Sequence, residues 1–179
     1  MKIDFNNLEL INLNENIYQI KYNNQTLKFW SPNIKIPFGL ENEYNKLIIK
    51  GELDDSDNNK YKNEIIHLKK LINIIEKNIK KKLDLDDDTN GIFKSIIKKR
   101  NNKLDFVECR IKKMKNNILT SIEFEDKANN YLKTIYDLPK QSYVKLQFEI
   151  DGLFDYRNEN NEKNKVGLIV YISKIIVLK

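Results

Sequence analysis

The chain has 179 residues, 40% of them apolar, and carries 32 basic against 26 acidic side chains for a net charge of +6. That length suits one domain, the apolar content supports a core and excludes wholesale disorder, and no apolar run reaches the roughly 18–20 residues that cross a bilayer. The start, MKIDFNNLEL, turns polar and acidic at once, which argues against a secretory signal, and the lone Cys109 excludes an internal disulfide.

These features predict a soluble intracellular protein with no membrane contact. The basic excess favours polyanionic partners, although the wealth of Asn, Lys and Ile also follows from A/T-rich codons. Local clustering of cations is therefore the better guide.

In chain order, three short strands are predicted at Leu8–Leu13, Ile17–Tyr22 and Thr26–Trp30, broken by Asn14-Glu15-Asn16 and Asn23-Asn24-Gln25. Asparagine tolerates positive φ, so these breaks are hairpin chemistry. Residues 31–45, SPNIKIPFGLENEYN, read as a connector whose path is set by two prolines and a glycine. Lys46–Leu53 alternates as a fourth strand, with Lys46 and Lys50 on one side.

The strongest helix follows. Tyr61, Ile65, Leu68, Ile72, Ile75 and Ile79 recur at spacings of four and three, building one apolar stripe. Lys80, Lys81 and Lys82 close it, where cations suit the helix dipole. A second, shorter helix is expected from Gly91 or Ile92 to Lys99. Strands resume at Phe106–Lys113 and Ile118–Glu125, Tyr131–Tyr136 forms a short strand or turn, and two long strands close the chain around the polar gap 158–165. The order predicts a mainly β, β-rich α+β fold. It is an antiparallel OB-like barrel in one domain, residues 1–179, with an amphipathic helical insertion at about 60–100.

Catalytic chemistry finds little support. His67 has Asn63 and Leu71 at i±4, so it has no helical partner as base or metal ligand. Cys109 reads as a small core residue. The acidic run Asp84, Asp86, Asp87, Asp88 lacks the spacing of a calcium loop, and the five glycines form no phosphate cradle. The expectation is a protein without enzymatic activity, cofactor or metal.

Nucleic-acid binding has more support. A single-strand binder needs cations for phosphates and aromatic faces for bases. Period-two reading places Lys28 with Trp30, and Phe106 with Arg110 and Lys112, on faces turned away from the core. Phe154, Tyr156 and Arg157 sit where a strand breaks, and Lys98, Lys99 and Arg100 form a basic knot. Lys46 and Lys50 complete the expected phosphate contacts. No helix is suited to reading base edges, so binding is expected to be sequence-tolerant.

FWSPNIKIPFGLENEYNKLIIKGEL (Phe29–Leu53), the helix after it and the ending KLQFEIDGLFDYR…VGLIVYISKIIVL resemble the OB-fold single-stranded DNA-binding proteins of large eukaryotic DNA viruses. They are more distantly similar to the replication single-strand binders of podophages. The resemblance implies a Ser-Pro/Pro-Phe-Gly connector, a helix inserted in the barrel, and a groove bordered by the strand after the insertion and by the last hairpin. It places Trp30, Phe38 and the Phe154–Arg157 corner near that groove, with Phe38 alternatively plugging the barrel. It also implies work on single-stranded DNA in replication, recombination or repair, at the site of viral or host DNA replication, with replication proteins as partners. Phage members end in an acidic tail that recruits those partners, whereas this sequence ends Ile176-Val177-Leu178-Lys179, which puts such recruitment in doubt.

Two other readings remain open. An RNA-binding OB module would use the same stacking. A structural or scaffold barrel, such as a virion or assembly subunit, would bind protein through the mixed-sign surface.

Overall fold

The computed structural model describes residues 7–43, 46–85, 92–101, 103–115, 117–125, 134–157 and 165–178. The first three strands form where alternation predicts them: β1 Leu8–Asn14, β2 Ile17–Tyr22 and β3 Leu27–Trp30. Between β2 and β3, Asn23 and Asn24 hold φ of 49° and 60°, and the Tyr22 and Gln25 backbones exchange hydrogen bonds of 2.7 and 3.0 Å. That tight turn needs left-handed residues, which asparagine supplies.

The connector is ordered, as expected, and holds two strands that were not. It contains β4 (Ile34–Ile36) and β5 (Leu40–Glu43). Ile34 and Ile36 are buried on either side of the half-exposed Lys35, so β4 is a true alternating strand too short to stand out between two prolines. β6 (Lys46–Leu53) follows as predicted.

Helix α1 (Lys62–Lys82) buries Ile65, Leu68, Ile72, Ile75 and Ile79, the expected stripe. Each fully buried isoleucine contributes roughly 1.5–3 kcal/mol relative to exposure. The loop before it is held by its own side chains: Asn59 accepts from the Tyr61 N–H at 3.0 Å and donates to the Asp54 carbonyl at 2.6 Å. Lys69 ties the helix to its surroundings through Asp55 at 2.8 Å and Asp105 at 3.0 Å.

The second helix does not form. Its described residues instead make two brief strands, β7 (Phe93–Lys94) and β8 (Ile97–Lys98). A buried carboxylate explains this. Glu76 of α1 accepts from the Ile96 N–H at 2.7 Å and the Ser95 hydroxyl at 3.0 Å, drawing the segment out of helical geometry. Ser95, Ile96 and Ile97 are also modest helix formers.

β9 (Asp105–Ile111) is the strand expected after the insertion, and Lys112 alone separates it from the small ribbon β10 (Lys113–Met114) and β11 (Asn117–Ile118). Thr120 interrupts the next run by hydrogen bonding to the Lys112 N–H and the Ile172 carbonyl, leaving β12 (Ser121–Phe124). Of the strand or turn expected at Tyr131–Tyr136, residues 135–137 form a 3-10 turn, and 131–133 lie outside the described residues. The chain then runs through β13 (Ser142–Asp155) and β14 (Val166–Val177).

The result is a mostly β fold, a closed barrel of five strands with one α-helix among the described residues, consistent with an OB-like fold. Around the barrel the order is β13, β4, β6, β9, β14 and back to β13. The β9–β14 pair is parallel and the other four are antiparallel. The long hairpin β13–β14 carries Val144, Leu146, Phe148, Ile150, Ile172 and Ile175 into the interior at 0% exposure. β2 and β3 lie along the other edge of β13. At Gly152 a Cβ would come within 2.3 Å of the Tyr18 carbonyl oxygen, so that close crossing of β2 over β13 requires glycine.

Candidate nucleic-acid interface

One row of register partners crosses four strands: Lys28 on β3, Glu149 on β13, Tyr171 on β14 and Arg110 on β9. Their chain neighbours Leu27, Phe29, Phe148, Ile150, Ile172, Cys109 and Ile111 fill the core, so this row lies on the outer face. At about 4.8 Å per strand it spans roughly 14 Å. Segments 28 to 171 in sequence thus meet on one surface.

The middle of that row is acidic. The Glu149 side chain is only 5% exposed, with Lys28 Nζ at 3.2 Å and Lys112 hydrogen-bonded to its other oxygen. Burial alone would raise its pKa, but the hydrogen bonds from Lys112 and Lys28 together hold it below the ordinary carboxylate value. Lys112 also reaches Asp151 at 3.8 Å and lies 5.9 Å from the Tyr171 ring centroid. Trp30, one step further along β3, is 41% exposed beside Gln147. It borders a separate hollow of about 450 Å³ with Tyr61, Lys145 and Ile176.

The other end of the face is different. Phe106 pairs in register with Lys98, and the Arg100 guanidinium lies 4.1 Å from its ring centroid. A cavity of about 210 Å³ opens beside them, lined by Lys94, Lys98, Arg110, Glu108 and Phe154. Gly167 forms the floor under Phe154: a Cβ there would stand 2.7 Å from the ring and 3.0 Å from Lys94 Cβ. Tyr156 packs on Phe154 at 5.6 Å between centroids. Among the described residues, Lys94, Lys98, Arg100 and Arg110 have no carboxylate within ion-pair distance.

Other candidates stand elsewhere. Lys50 is held by Glu43 at 2.5 Å and Glu41 at 3.2 Å, and Lys46 is an exposed residue at the start of β6. Arg157 grips Asp155 through Nε and Nη2, at 2.9 and 2.6 Å, and donates from Nη1 to the Leu83 carbonyl at 3.2 Å. It thereby caps the C-terminal end of α1, and the same contacts hold Asp155 below its ordinary pKa. Phe38 is 46% exposed in the turn beside the start of β13, whereas Phe154 lies near its far end. Ser142, where β13 begins, and Phe154 stand 12 residues apart along that strand. Lys99 faces the helix side of β8.

Sequence reading missed Lys94 and Tyr171. Tyr171 alternates with the core residues Val170 and Ile172, a signal that was present. Lys94 falls in the segment expected as a helix, and its place on the barrel face comes from the pairing of β7 with β14.

Among the described residues, the two candidates for catalysis stand on separate elements, Cys109 on β9 and His67 on α1. Cys109 is 1% exposed, and burial, followed by the Glu108 charge, pushes its thiol far above the ordinary value. His67 is exposed on α1. Among the described residues no three His, Cys, Asp or Glu side chains group to hold a metal, and Asp86, Asp87 and Asp88 lie outside those residues. No helix among the described residues is long and apolar enough to cross a membrane.

No family model matches the chain, and no curated protein matches its sequence. Among solved structures, the barrel is similar to the single-stranded DNA-binding protein gp2.5 encoded by bacteriophage T7. The TM-score is 0.54 with 10% identity, over 86% of this chain and 87% of that one. At that identity the likeness is one of fold.

Proposed function

We propose that this barrel binds single-stranded DNA, sequence-tolerantly and without catalysis, on the outer face of β9 and β14. The observation that carries the reading is the cavity walled by Lys94, Lys98, Arg110 and Phe154, next to a Phe106 ring covered by Arg100. Free cations beside aromatic faces are what a phosphate chain with stackable bases requires. In OB folds the face of the second and third barrel strands binds oligonucleotides, here β6 and β9. The structural neighbour is described as a single-stranded DNA-binding protein, which supports the same reading.

Phe106, Phe154 and Tyr171 then stack bases, with Tyr156 backing Phe154 and Trp30 extending the face past Lys28. Arg110, Lys98, Arg100 and Lys94 meet phosphates. Lys28, Lys50, Lys112 and Arg157 serve as scaffold, each held by carboxylates. A role in replication, recombination or repair, with replication proteins as partners, is the setting such binding would serve.

Titration with labelled oligo-dT at two salt concentrations tests this. About four phosphate contacts give a slope of log K against log salt near −3. Duplex bound as well as single strand, or affinity indifferent to salt, would contradict it. Matched RNA competition decides between the two polymers.

A protein-binding barrel is the second reading, favoured by the carboxylates that neutralise Lys28, Lys50, Lys112 and Arg157. Trp30 is the chain's one tryptophan. Its quenching by oligo-dT supports the first reading; a silent signal with discrete self-association on a sizing column supports the second.

A further inference from the structure

A larger cavity, about 1030 Å³, lies between α1 and the β7–β8 segment. Its helix wall is Lys69, Asn73, Glu76 and Lys80, spaced four, three and four residues apart, one step round from the buried stripe. Its other wall carries Lys94, Ser95, Lys98 and Lys99. Lys94, Ser95 and Lys98 also line the smaller cavity on the barrel face, so the two hollows adjoin along this segment.

The charges along this cavity are unevenly engaged. Asp55 and Asp105 both bind Lys69. The Glu76 carboxylate is 6% exposed and turned onto the Ser95 hydroxyl and the Ile96 N–H. Lys80, Lys94, Lys98 and Lys99 have no carboxylate within ion-pair distance among the described residues. Lys80 Nζ instead lies 5.2 Å from the Phe93 ring centroid. The three carboxylates are thus committed within the protein, and four cations remain for a polyanion.

We propose that this cavity is a second stretch of the nucleic-acid path: a strand leaving the barrel face past Lys94 and Lys98 runs along α1, its phosphates held by Lys99 and Lys80. The inference rests on the single-strand reading above. It assigns to the inserted helix a share of the binding footprint, where the barrel alone would hold a shorter segment.

Oligonucleotide length separates the two. Labelled oligo-dT of about 6 nucleotides sits near the short end of the roughly 4–16 typical of one OB fold, and about 20 exceeds its long end. Lys80→Gln with Lys99→Gln is expected to weaken binding of the long oligomer about tenfold and to leave the short one within about twofold. Lys70→Gln with Lys77→Gln removes the same charge from exposed helix positions outside the cavity and is expected to change neither. If Lys80→Gln lowers the melting temperature by disturbing Phe93, Lys99→Gln alone is expected to cost the long oligomer about threefold. Equal losses at both lengths, no loss on the long oligomer, or equal losses in the control pair would overturn the helix path while leaving the barrel site intact. Failure of the unaltered protein to bind either length would overturn the barrel reading itself, and this path with it.

Discussion

Two groups of cations on the same face stand in opposite electrostatic positions. At the β3–β13 end, Lys28 and Lys112 close over the buried Glu149. At the β8–β9 end, Lys98, Arg100 and Arg110 surround Phe106 and the cavity with no carboxylate in ion-pair reach among the described residues. The difference shows why charge counts mislead. A paired lysine neutralises an internal carboxylate and holds strands together; an unpaired one is still available to a ligand. The overall +6 says nothing about which is which.

The largest expected effect is at the unpaired end. Phe106→Ala removes a stacking face and the ring under Arg100, and stacking is worth about 1–3 kcal/mol per base. Oligo-dT affinity should fall about 5- to 150-fold, with the melting temperature little changed because the ring is only half-buried. A loss under twofold would remove Phe106 from the site.

Next in size is Glu149→Gln, which acts in the other direction. Stability should fall by about 1–2 kcal/mol in a denaturant titration, less than for a fully buried pair because Lys28 is half exposed. Affinity for oligo-dT should hold or rise, since Lys28 and Lys112 are released. The pH dependence follows from the lowered pKa of Glu149. Its stabilisation is present above the unfolded carboxylate value and lost as pH falls through the lower folded value, so the variant should lose less stability in acid than the parent.

Glu76→Gln has the opposite sign. Burial raises the Glu76 pKa against the hydrogen bonds from Ile96 and Ser95. Its contribution is therefore fullest below the unfolded value and lost as pH rises through the folded one. Glutamine keeps the acceptor oxygen without the charge, so thermal melting from pH 4 to 7 should show that fall in the parent and its absence in the variant. A steeper pH dependence in Glu76→Gln would contradict the assignment.

The smallest effect is Arg157→Gln, expected to leave oligo-dT affinity within about twofold. It should cost on the order of 1 kcal/mol of stability through loss of the Asp155 pair and the Leu83 cap. A tenfold loss of affinity without loss of stability would return Arg157 to the binding surface.

Much of the architecture was legible from local physics. The spacing of Tyr61 to Ile79 set the helix and its buried side, and the asparagine breaks set the β1–β3 turns. The period-two alternation of β9 and β13 separated core from surface. What escaped depended on contacts distant in sequence. β4 is three residues long and becomes a strand by lying between β13 and β6. Residues 93–98 have apolar spacing compatible with a helix, and partners distant in sequence, the Glu76 carboxylate some 20 residues earlier and the strands β9 and β14, go with the extended form. The proposed site was legible only as a pattern of rings and cations on outward strand positions. Which cations carry partners was not, because Glu149, Glu41, Glu43 and Asp155 reveal their choices only after the strands align.

The most direct test compares two double variants of equal charge by the salt dependence of oligo-dT affinity. Lys98→Gln with Arg110→Gln removes two unpaired cations and should make the slope of log K against log salt shallower by about 1.4. Lys28→Gln with Lys50→Gln removes two paired ones and should leave it within about 0.3 of the parent. Equal changes in both pairs, or the larger change in the second, would contradict the claim that partnerless cations beside Phe106 and Phe154 hold the phosphate chain.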